Sequence, residues 1–443
     1  MLKNKVLLTG ITIMAAIFFA GDITLGQTGS SLPIESAKDM FFDKSRSIAY
    51  ILNGDSTISA YDFVKKSFVL SRVSLPEVAN IKQILASPNG SIIALVYYTQ
   101  AAGYRVAVYS VPLNNEKGNA IIPGPNYFLG NELIQGTASM AFSSDEKMLF
   151  VDYGENTLYI FSTNTSKQER ITVGQFPSTI AIDNAGMVLV LNKKSEDLSI
   201  VDPFKRVVRA TVKLGLNPQN ILFNKITNKA YISNTGSDDV YVVDATAAKV
   251  LQKIKVGNDP TSLAYDEKDG TVFVANNSSG TLSIISSDFV VRTVELNSAA
   301  YFEGAPITLA YLNSRKRLFV LNPWEAKYLV YDVNQSRITK EDKTETFPVK
   351  IFASEKSESA FVLHWNANSL FVIDAETFAA THVPDFVTAA GAFFSKPQSV
   401  AVDVKTNRIF VSNLGGDYIT VVDGSTQKPI AKITVGRSIL TIF

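Results

Sequence analysis

His364 and His382 are the only histidines of the chain, which also has no cysteine. The missing cysteines exclude disulfides, thiolate metal sites and cysteine nucleophiles. A zinc or copper site normally needs more imidazole or thiolate ligands than two histidines supply. A Ser-His-Asp triad would need one of the two as its base. His364 ends an apolar strand and His382 lies in a fourth strand, so we interpret both as strand residues.

Carboxylates at close spacing are the second candidate chemistry. Asp238 and Asp239 fall in a turn and are interpreted as solvated charge. The segment from Asp266 to Gly270, Asp-Glu-Lys-Asp-Gly, resembles a calcium loop in composition but is too short for one, so it predicts a hairpin turn. The chain has no G-x-S-x-G, H-E-x-x-H or phosphate-binding glycine motif. We therefore predict no cofactor; calcium fits the composition but is not indicated.

Asparagines recur at one place in a repeating pattern and are tempting as ligands: Asn192, Asn234, Asn276, Asn322 and Asn413. Each stands where an apolar run ends and a turn begins. Asparagine caps such turns through its own side chain, so we interpret these residues as structural. The aspartates that end the following apolar runs are interpreted in the same way.

The elements that position these residues form a repeat. Pro177, Pro218 and Pro260 open successive copies, 41 and then 42 residues apart. Each copy has four apolar runs rich in Val, Ile, Tyr and Phe, separated by Asn, Asp, Gly and Ser, which is the pattern of four short strands. The third run ends at Asp62, Ser110, Ser162, Asp202, Asp244, Ser286, Asp332, Asp374 and Asp423.

This period predicts an all-β fold, a single β-propeller of four-stranded blades over 36–443. We count nine repeat units; seven or eight blades also fit, because the first three units are degenerate. An apolar segment over 439–443 follows the ninth unit. We expect it to pair near the first unit and help close the ring, because an open ring leaves blade surfaces unburied.

Within the repeat, the sequences Tyr231-Ile-Ser-Asn234, Val274-Ala-Asn-Asn277 and Val411-Ser-Asn-Leu414 precede an apolar strand and, in most copies, an Ile/Val-x-Val-Gly segment. These residues resemble the YVTN-type β-propeller repeat of surface-layer and related secreted proteins. The resemblance is strongest over 171–286 and 397–436. It implies a propeller with cell-surface or extracellular binding roles, and it implies no single chemistry.

The N-terminus differs in composition from the rest. Lys3 and Lys5 precede an apolar run over 6–20, and small residues follow around Gly26. This order predicts a signal peptide over 1–26 and a short lead over 27–35, with the mature chain beginning near Gln27. An uncleaved N-terminal anchor is the alternative. The mature chain has no membrane span by hydropathy, so we expect it to be secreted, periplasmic or at the cell surface.

One face of the predicted propeller collects the insertions. Strand-two-to-three turns and blade-to-blade connections share this face, and 123–136, 297–306, 338–348 and 384–397 are interpreted as connections. Repeat proteins gather insertions on the face that binds, and aromatic anchors are typical of interfaces. The predicted partner-binding residues are Tyr127, Phe128, Tyr301, Phe302, Trp324, His364, Trp365, Phe393 and Phe394. Alternatively, these aromatics pack the long loops onto the ring.

Three functions fit these observations. We expect a non-catalytic binding scaffold for an extracellular protein or surface polymer. The first alternative is a lactonase- or lyase-like propeller enzyme with its site at the central channel, assembled from several blades beyond the reach of motif searching. The second is a cofactor-bearing redox propeller. Nucleic acid is not an expected partner, because the 42 basic and 41 acidic side chains form no basic stripe.

Overall fold

A computed structural model of the chain contains one compact unit over Glu35–Phe443. The structure describes residues 37–43, 48–53, 57–62, 67–74, 81–87, 92–99, 103–110, 122–130, 139–152, 156–165, 167–296, 307–346, 348–355, 357–364, 367–383, 394–395, 397–403, 407–413 and 418–434. The predicted signal peptide and the predicted closing strand over 439–443 lie outside these ranges. No helix in the described ranges has the length and hydrophobicity of a membrane span.

Within the described ranges the chain forms nine antiparallel sheets of four strands, each in sequence order. Blades 1 to 3 comprise β1 (Ala37–Asp43), β2 (Ile48–Asn53), β3 (Thr57–Asp62), β4 (Ser67–Ser74), β5 (Ile81–Ala86), β6 (Ile92–Thr99), β7 (Gly103–Ser110), β8 (Ile122–Gly130), β9 (Met140–Phe142), β10 (Met148–Asp152), β11 (Thr157–Ser162) and β12 (Gln168–Thr172).

The regular repeat follows in the next blades. Blades 4 to 6 comprise β13 (Pro177–Ile182), β14 (Val188–Asn192), β15 (Asp197–Asp202), β16 (Val207–Lys213), β17 (Pro218–Asn224), β18 (Lys229–Asn234), β19 (Asp239–Asp244), β20 (Lys249–Lys255), β21 (Pro260–Tyr265), β22 (Val272–Asn276), β23 (Thr281–Ile285) and β24 (Val291–Glu295). Blades 7 to 9 comprise β25 (Thr308–Leu312), β26 (Arg317–Asn322), β27 (Lys327–Asp332), β28 (Arg337–Lys343), β29 (Pro348–Ser354), β30 (Ser359–His364), β31 (Ser369–Asp374), β32 (Ala380–Val383), β33 (Pro397–Asp403), β34 (Arg408–Asn413), β35 (Tyr418–Asp423) and β36 (Lys428–Thr434).

The predicted nine-unit propeller is confirmed by these boundaries. Third strands end at the predicted aspartates and serines, with blade 6 ending one residue earlier, at Ile285. The prolines at 177, 218, 260, 348 and 397 each begin a first strand. First strands of blades 1 and 2 contact one another, as do those of successive blades from 3 to 9, which is the arrangement of the innermost strands of a propeller.

Burial follows the position of each strand in its blade. All residues of β14 and β15, the second and third strands of blade 4, are buried, whereas the fourth strand β16 has mostly exposed or half-buried residues. Leu191 and Ile200 share a buried cluster with Ile221 and Ile232 of blade 5. Each such side chain stabilises the fold by roughly 1.5–3 kcal/mol, so stacked blade faces form the core.

The aspartates at the third-strand ends build the turn that follows. Asp202 Oδ1 accepts the N–H groups of Phe204 (3.0 Å) and Lys205 (2.9 Å). Asp423 Oδ1 accepts those of Ser425 (3.0 Å) and Thr426 (2.8 Å). The predicted structural role of these aspartates is confirmed, because the carboxylate replaces backbone acceptors in a tight turn.

The propeller has two faces. We call the face with the strand-two-to-three turns and the blade-to-blade connections the upper face, and the opposite one the lower face. On the lower face, the strand-one-to-two turns join successive blades by hydrogen bonds: Asn184 Nδ2 to the Lys225 carbonyl (3.0 Å), Asn224 Nδ2 to the Gly270 carbonyl (2.8 Å), the Glu267 N–H to Asn313 Oδ1 (2.7 Å) and the Asn313 N–H to Glu355 Oε1 (2.7 Å).

Candidate binding face

The connections leading into blades 4 to 6 are hydrogen-bonded to upper-face turns. The Leu216 N–H donates to Ser237 Oγ (3.1 Å), and the Gly236 N–H donates to the Leu216 carbonyl (3.0 Å). Asn217 Nδ2 donates to Thr235 Oγ1 (2.6 Å). Blades 4 and 6 repeat this arrangement with the bonds Gln175 N–H to Ser195 Oγ (2.8 Å), Asn258 N–H to Ser279 Oγ (3.0 Å) and Asn277 N–H to the Asp259 carbonyl (2.8 Å). These hydrogen bonds hold the connections and the upper-face turns of blades 4 to 6 together.

The repeated asparagines are buried beneath these turns. Asn192 Nδ2 donates to Asp197 Oδ1 (2.8 Å) and to Ser199 Oγ (2.9 Å), both on the third strand of its own blade. Equivalent bonds join Asn234 to Asp239 (2.9 Å), Asn276 to Thr281 and Ser283 (2.9 Å each) and Asn413 to Thr420 (3.0 Å). The structural role predicted for these asparagines is confirmed, and they are not exposed to a ligand. The interpretation of Asp238 and Asp239 as solvated charge is corrected, because Asp239 is buried at the start of β19 and Asp238 accepts the Asp259 N–H.

A glycine of each connection packs on this buried asparagine. A Cβ at Gly215 would lie 2.8 Å from Asn234 Cγ and 2.7 Å from Asp239 Oδ1, and one at Gly257 would lie 2.8 Å from Asn276 Cβ. Carbon atoms cannot approach so closely without displacing the neighbour. The Val-Gly or Leu-Gly dipeptide of the repeat is thus required by the asparagine beneath it.

Blades 8 and 3 carry a histidine and an aspartate at the asparagine position. His364 of blade 8 lies opposite Pro348, as Asn234 lies opposite Pro218. The imidazole is fully buried, and neither ring nitrogen has a hydrogen-bond partner among the residues that the structure describes. Burial lowers the pKa of His364 to about 4, because the charged form would lose its hydration.

Asp152 occupies this position in blade 3, at the end of β10. One carboxylate oxygen accepts the Ser139 N–H (3.1 Å), and the other is buried with no hydrogen-bond partner in the described part of the chain. Burial raises the pKa of Asp152 to about 7, against the lowering effect of the Ser139 hydrogen bond. The sequence contained a signal for both residues, since each aligns with the asparagine of the other repeats.

The two histidines do not form a catalytic array. His382 Nε2 lies 3.1 Å from Glu345 Oε1, and the other oxygen of Glu345 accepts the Ser369 hydroxyl. Phe371 lies between the histidine rings, and its ring centroid is 5.4 Å from that of His364 and 5.8 Å from that of His382. In a hydrolase triad the histidine stands between acid and nucleophile. Here the Glu345 carboxylate stands in the middle, so the serine is not hydrogen-bonded to an imidazole as a triad requires.

The calcium-like segment forms a turn on the lower face with a lysine as its cation. Asp266 is fully buried; its Oδ2 pairs with Lys316 Nζ and accepts the Tyr311 hydroxyl (2.5 Å). Asp269 Oδ2 lies 2.9 Å from the same Nζ. Although burial acts to raise it, hydrogen bonds from Lys316 and Tyr311 hold the pKa of Asp266 below its ordinary value. The predicted hairpin turn is confirmed, closed by the Gly270 N–H on the Asp266 carbonyl (2.9 Å).

No group of three or more His, Asp or Glu side chains suited to a metal ion occurs in the part of the chain that the structure describes.

Trp324 and Phe128 are exposed, as partner binding requires. Trp324 lies in the upper-face turn between β26 and β27 with 52% of its surface exposed. Phe128 lies on β8, the outer strand of blade 2, and not in a blade-to-blade connection. The interpretations of 123–136 and 338–348 as connections are therefore corrected, since the outer strands β8 and β28 occupy most of these ranges.

Three other predicted residues are buried within the propeller. The Tyr127 hydroxyl donates to the Ser162 carbonyl (2.6 Å), and its ring packs on Phe161 with a centroid distance of 4.5 Å. Phe394 belongs to the cluster between blades 8 and 9, and His364 is buried as described above. Burial leaves these side chains no surface to offer a partner, so packing onto the ring describes them better.

Tyr301, Phe302, Trp365 and Phe393 lie outside the described residues. Partner binding by the predicted set stays a prediction.

Sequence reasoning missed two apolar side chains of the upper face. Phe176 and Leu216 occupy the connections into blades 4 and 5 and are exposed by 47% and 55%. Phe176 borders a cleft of about 280 Å³ that is also lined by Asn156, Gln175 and Lys194. The sequence contained a signal for these two residues. Both lie within two residues before the repeat proline, where blade 6 has the polar residues Asn258 and Asp259.

No curated protein sequence matches the chain. Among solved structures, the dihydro-haem d1 dehydrogenase NirN is similar with 13% identity and a TM-score of 0.52, over 77% of this chain and 74% of that one. A virginiamycin B lyase from Staphylococcus aureus is 12% identical over 63% and 92% of the two chains, with a TM-score of 0.43. Kuenenia stuttgartiensis hydrazine synthase is 12% identical over 80% and 100%, with a TM-score of 0.42. At 13% identity the similarity to NirN shows the fold alone.

The sequence matches the family described as YNCE-like beta-propeller over residues 127–443. This range runs from the end of β8 through blades 3 to 9, where the prolines, the buried asparagines and the turn aspartates recur. The resemblance to the YVTN-type repeat stays a likeness of short motifs. The chain belongs to the YNCE-like β-propeller family.

Proposed function

We propose that the protein is a secreted or cell-surface binding scaffold, non-catalytic, whose upper face captures an extracellular protein or surface polymer. The observation that carries this proposal is the exposed indole of Trp324. Asn322 Oδ1 accepts the N–H groups of Trp324 (3.0 Å) and Glu325 (3.3 Å), so a fixed turn presents the ring. Exposed tryptophans on rigid supports are typical anchors of interfaces, because little conformational entropy is lost on binding.

Charged side chains surround this turn. Lys327 Nζ lies 3.4 Å from Glu325 Oε2 and 3.2 Å from Glu341 Oε1. An aromatic centre with a polar surround is the usual composition of a protein-binding site. Phe176 and Leu216 add apolar surface to the same face, which supports a binding role for more than one blade.

The lactonase- or lyase-like alternative is not proposed. Its distinguishing requirement is an activated nucleophile or a convergent set of ligands. The arrangement of Ser369, Glu345 and His382 has the wrong order for acyl transfer, as described above, and the similarity to a dehydrogenase fold brings no chemistry with it at 13% identity.

The test is Trp324→Ala against Phe204→Ala. Phe204 is exposed on the lower face, in the turn after β15, so the control removes a comparable aromatic from the opposite side. We expect Trp324→Ala to weaken capture of partners from an extracellular extract by about tenfold or more, as an anchor worth about 1.4 kcal/mol or more does. Capture is measured by quantitative mass spectrometry on immobilised protein.

Equal capture by both variants would contradict the proposal. Asp266 is unsuitable as a lower-face control, because its removal would take away one of the two carboxylates that pair with the half-buried ammonium of Lys316. Both variants must retain the melting temperature of the parent protein for the comparison to count.

A further inference from the structure

The residue before the repeat proline has a left-handed backbone. Its φ is 55° at Phe176, 50° at Asn217 and 57° at Asp259. Asparagine and aspartate adopt this region comparatively easily, whereas a bulky aromatic residue rarely does. Blade 4 therefore holds phenylalanine at a position whose backbone favours a small polar residue.

The polar residues at this position form side-chain hydrogen bonds to the neighbouring upper-face turn. Asn217 Nδ2 donates to Thr235 Oγ1 (2.6 Å), and Asp259 Oδ2 accepts Asn277 Nδ2 (3.2 Å). Phe176 can make neither bond. Its ring is 47% exposed on the upper face. Compared with asparagine or aspartate, phenylalanine at this position loses a side-chain hydrogen bond to the turn and exposes apolar surface. Packing does not explain this choice of residue.

Other phenylalanines with positive φ are covered by neighbouring cations. Lys229 Nζ lies 5.2 Å from the ring centre of Phe289, and Arg317 lies 5.5 Å from that of Phe378. Both rings contact a strand residue of the neighbouring blade. Among the described residues, no cation or aromatic ring covers Phe176 in this way.

A cleft of about 280 Å³ adjoins the Phe176 ring, and its other lining residues are Asn156, Gln175 and Lys194. Asn156 Oδ1 accepts the Phe176 N–H (3.2 Å), and the Gln175 carbonyl accepts the Lys194 N–H (3.1 Å). The lining residues therefore come from blades 3 and 4 and are hydrogen-bonded to one another. Such a cleft is slightly below the volume of ~300–1,000 Å³ usual for small-molecule sites.

We propose that this cleft binds a carboxylated sugar unit of an acidic polysaccharide. The flat negative face of Phe176 suits the C–H face of a sugar ring. The amides of Asn156 and Gln175 offer both donors and acceptors, which hydroxyl groups require. The exposed ammonium of Lys194 suits a sugar carboxylate.

An acidic peptide fits less well. Peptides bind along a strand edge, in a deep apolar groove or on aromatic-lined grooves, whereas here a single ring stands beside two amides and one ammonium. The proposal goes beyond the binding scaffold argued above, because it assigns a site at blade 4 and a ligand class. It does not involve Trp324, so either proposal can fail alone.

The test is affinity electrophoresis in gels containing polygalacturonate, with dextran gels as the neutral comparison. We expect polygalacturonate to retard the full-length protein and dextran not to. Phe176→Asn, which installs the residue of blade 5, should weaken binding at least about tenfold and raise the melting temperature. Lys194→Gln should also weaken binding and reduce its dependence on salt. Phe204→Ala, an exposed aromatic on the lower face, should bind polygalacturonate like the parent.

The proposal is overturned if Phe176→Asn binds polygalacturonate as the parent does, or if no retardation occurs. Equal retardation by polyglutamate would identify charge or an acidic peptide as the ligand and would also overturn it. If Phe176→Asn fails to fold, Phe176→Leu supplies the same test, since leucine keeps the apolar bulk and lacks the flat ring.

Discussion

At the residue scale, the end of each second strand shows how one position can change the electrostatics of a blade. An asparagine there is neutral and donates to the third strand. His364 and Asp152 are buried at the same position with at least one polar atom unpartnered. An unsatisfied buried polar atom costs about 1–3 kcal/mol, and each of these residues also couples the stability of its blade to pH.

The two couplings have opposite signs. The pKa of His364 falls from 6.5 to about 4 on folding, so its contribution favours the native state above about pH 6.5 and weakens as the pH falls towards 4. The pKa of Asp152 rises from 3.8 to about 7. Its contribution favours the native state at low pH and weakens as the pH rises towards 7. The parent protein thus combines two slopes that offset each other.

Separate variants should reveal the two slopes. In Asp152→Asn, we expect the free energy of unfolding to fall as the pH is lowered from about 6.5 to about 4, by up to roughly 3 kcal/mol. In His364→Asn, it should fall as the pH is raised over about the same interval. Urea titrations at several pH values measure both slopes. Parallel slopes in the two variants would show that these residues do not carry the effect.

At the element scale, the upper-face turns depend on the contact between a glycine and a buried asparagine. Gly215 has no room for a methyl group above Asn234. We expect Gly215→Ala to lower the free energy of unfolding by about 1–3 kcal/mol, the usual cost of overpacking. Calorimetry measures the change, with Gln252→Ala on the outer strand β20 as control. An unchanged melting temperature would mean that the turn can shift without cost.

The sequence predicted these elements where the repeat is regular and misassigned them where it is not. Proline and aspartate mark strand boundaries because each acts locally on the backbone. β13 therefore begins at its proline, and β15 ends at its aspartate, as predicted. Pro123 suggested a loop, yet it lies in β8 opposite Tyr109. β8 is an outer strand, and a proline at a sheet edge removes no ladder bond to a further strand.

Site residues were harder to predict than strands. The exposure of Trp324 followed from its turn, but that of Phe176 depends on a backbone conformation that only the repeat comparison reveals. The sequence predicted Tyr127 to be a surface aromatic. Its side chain is buried because blade 3 packs against it. Contacts between blades are long-range in sequence, so local patterns do not determine them.

At the scale of the whole molecule, the lower-face turns couple neighbouring blades. Asn313 of blade 7 accepts the Glu267 N–H of blade 6 and donates its own N–H to Glu355 of blade 8. One turn therefore joins three blades. Because each blade buries its faces only against its neighbours, such links help the propeller to unfold as one unit.

We expect Asn313→Ala to reduce this cooperativity. The variant loses the acceptor for the Glu267 N–H, which lowers the free energy of unfolding by about 1 kcal/mol. Tryptophan fluorescence, which reports on the C-terminal blades, and far-ultraviolet circular dichroism should give coincident urea transitions in the parent and separate ones in the variant. Ser314→Ala, in the same turn, is the control. Coincident transitions in the Asn313→Ala variant would contradict the coupling.

The ammonium of Lys316 between Asp266 and Asp269 also affects how the protein meets its surroundings. Many extracellular modules join their acidic turns with a dissociable calcium ion, and their shape then varies with the calcium supply and with chelators. Here the positive charge is covalently attached to the next blade. Dilution and chelation cannot remove it, so the junction between blades 6 and 7 keeps its counter-charge in whatever mineral environment the chain enters.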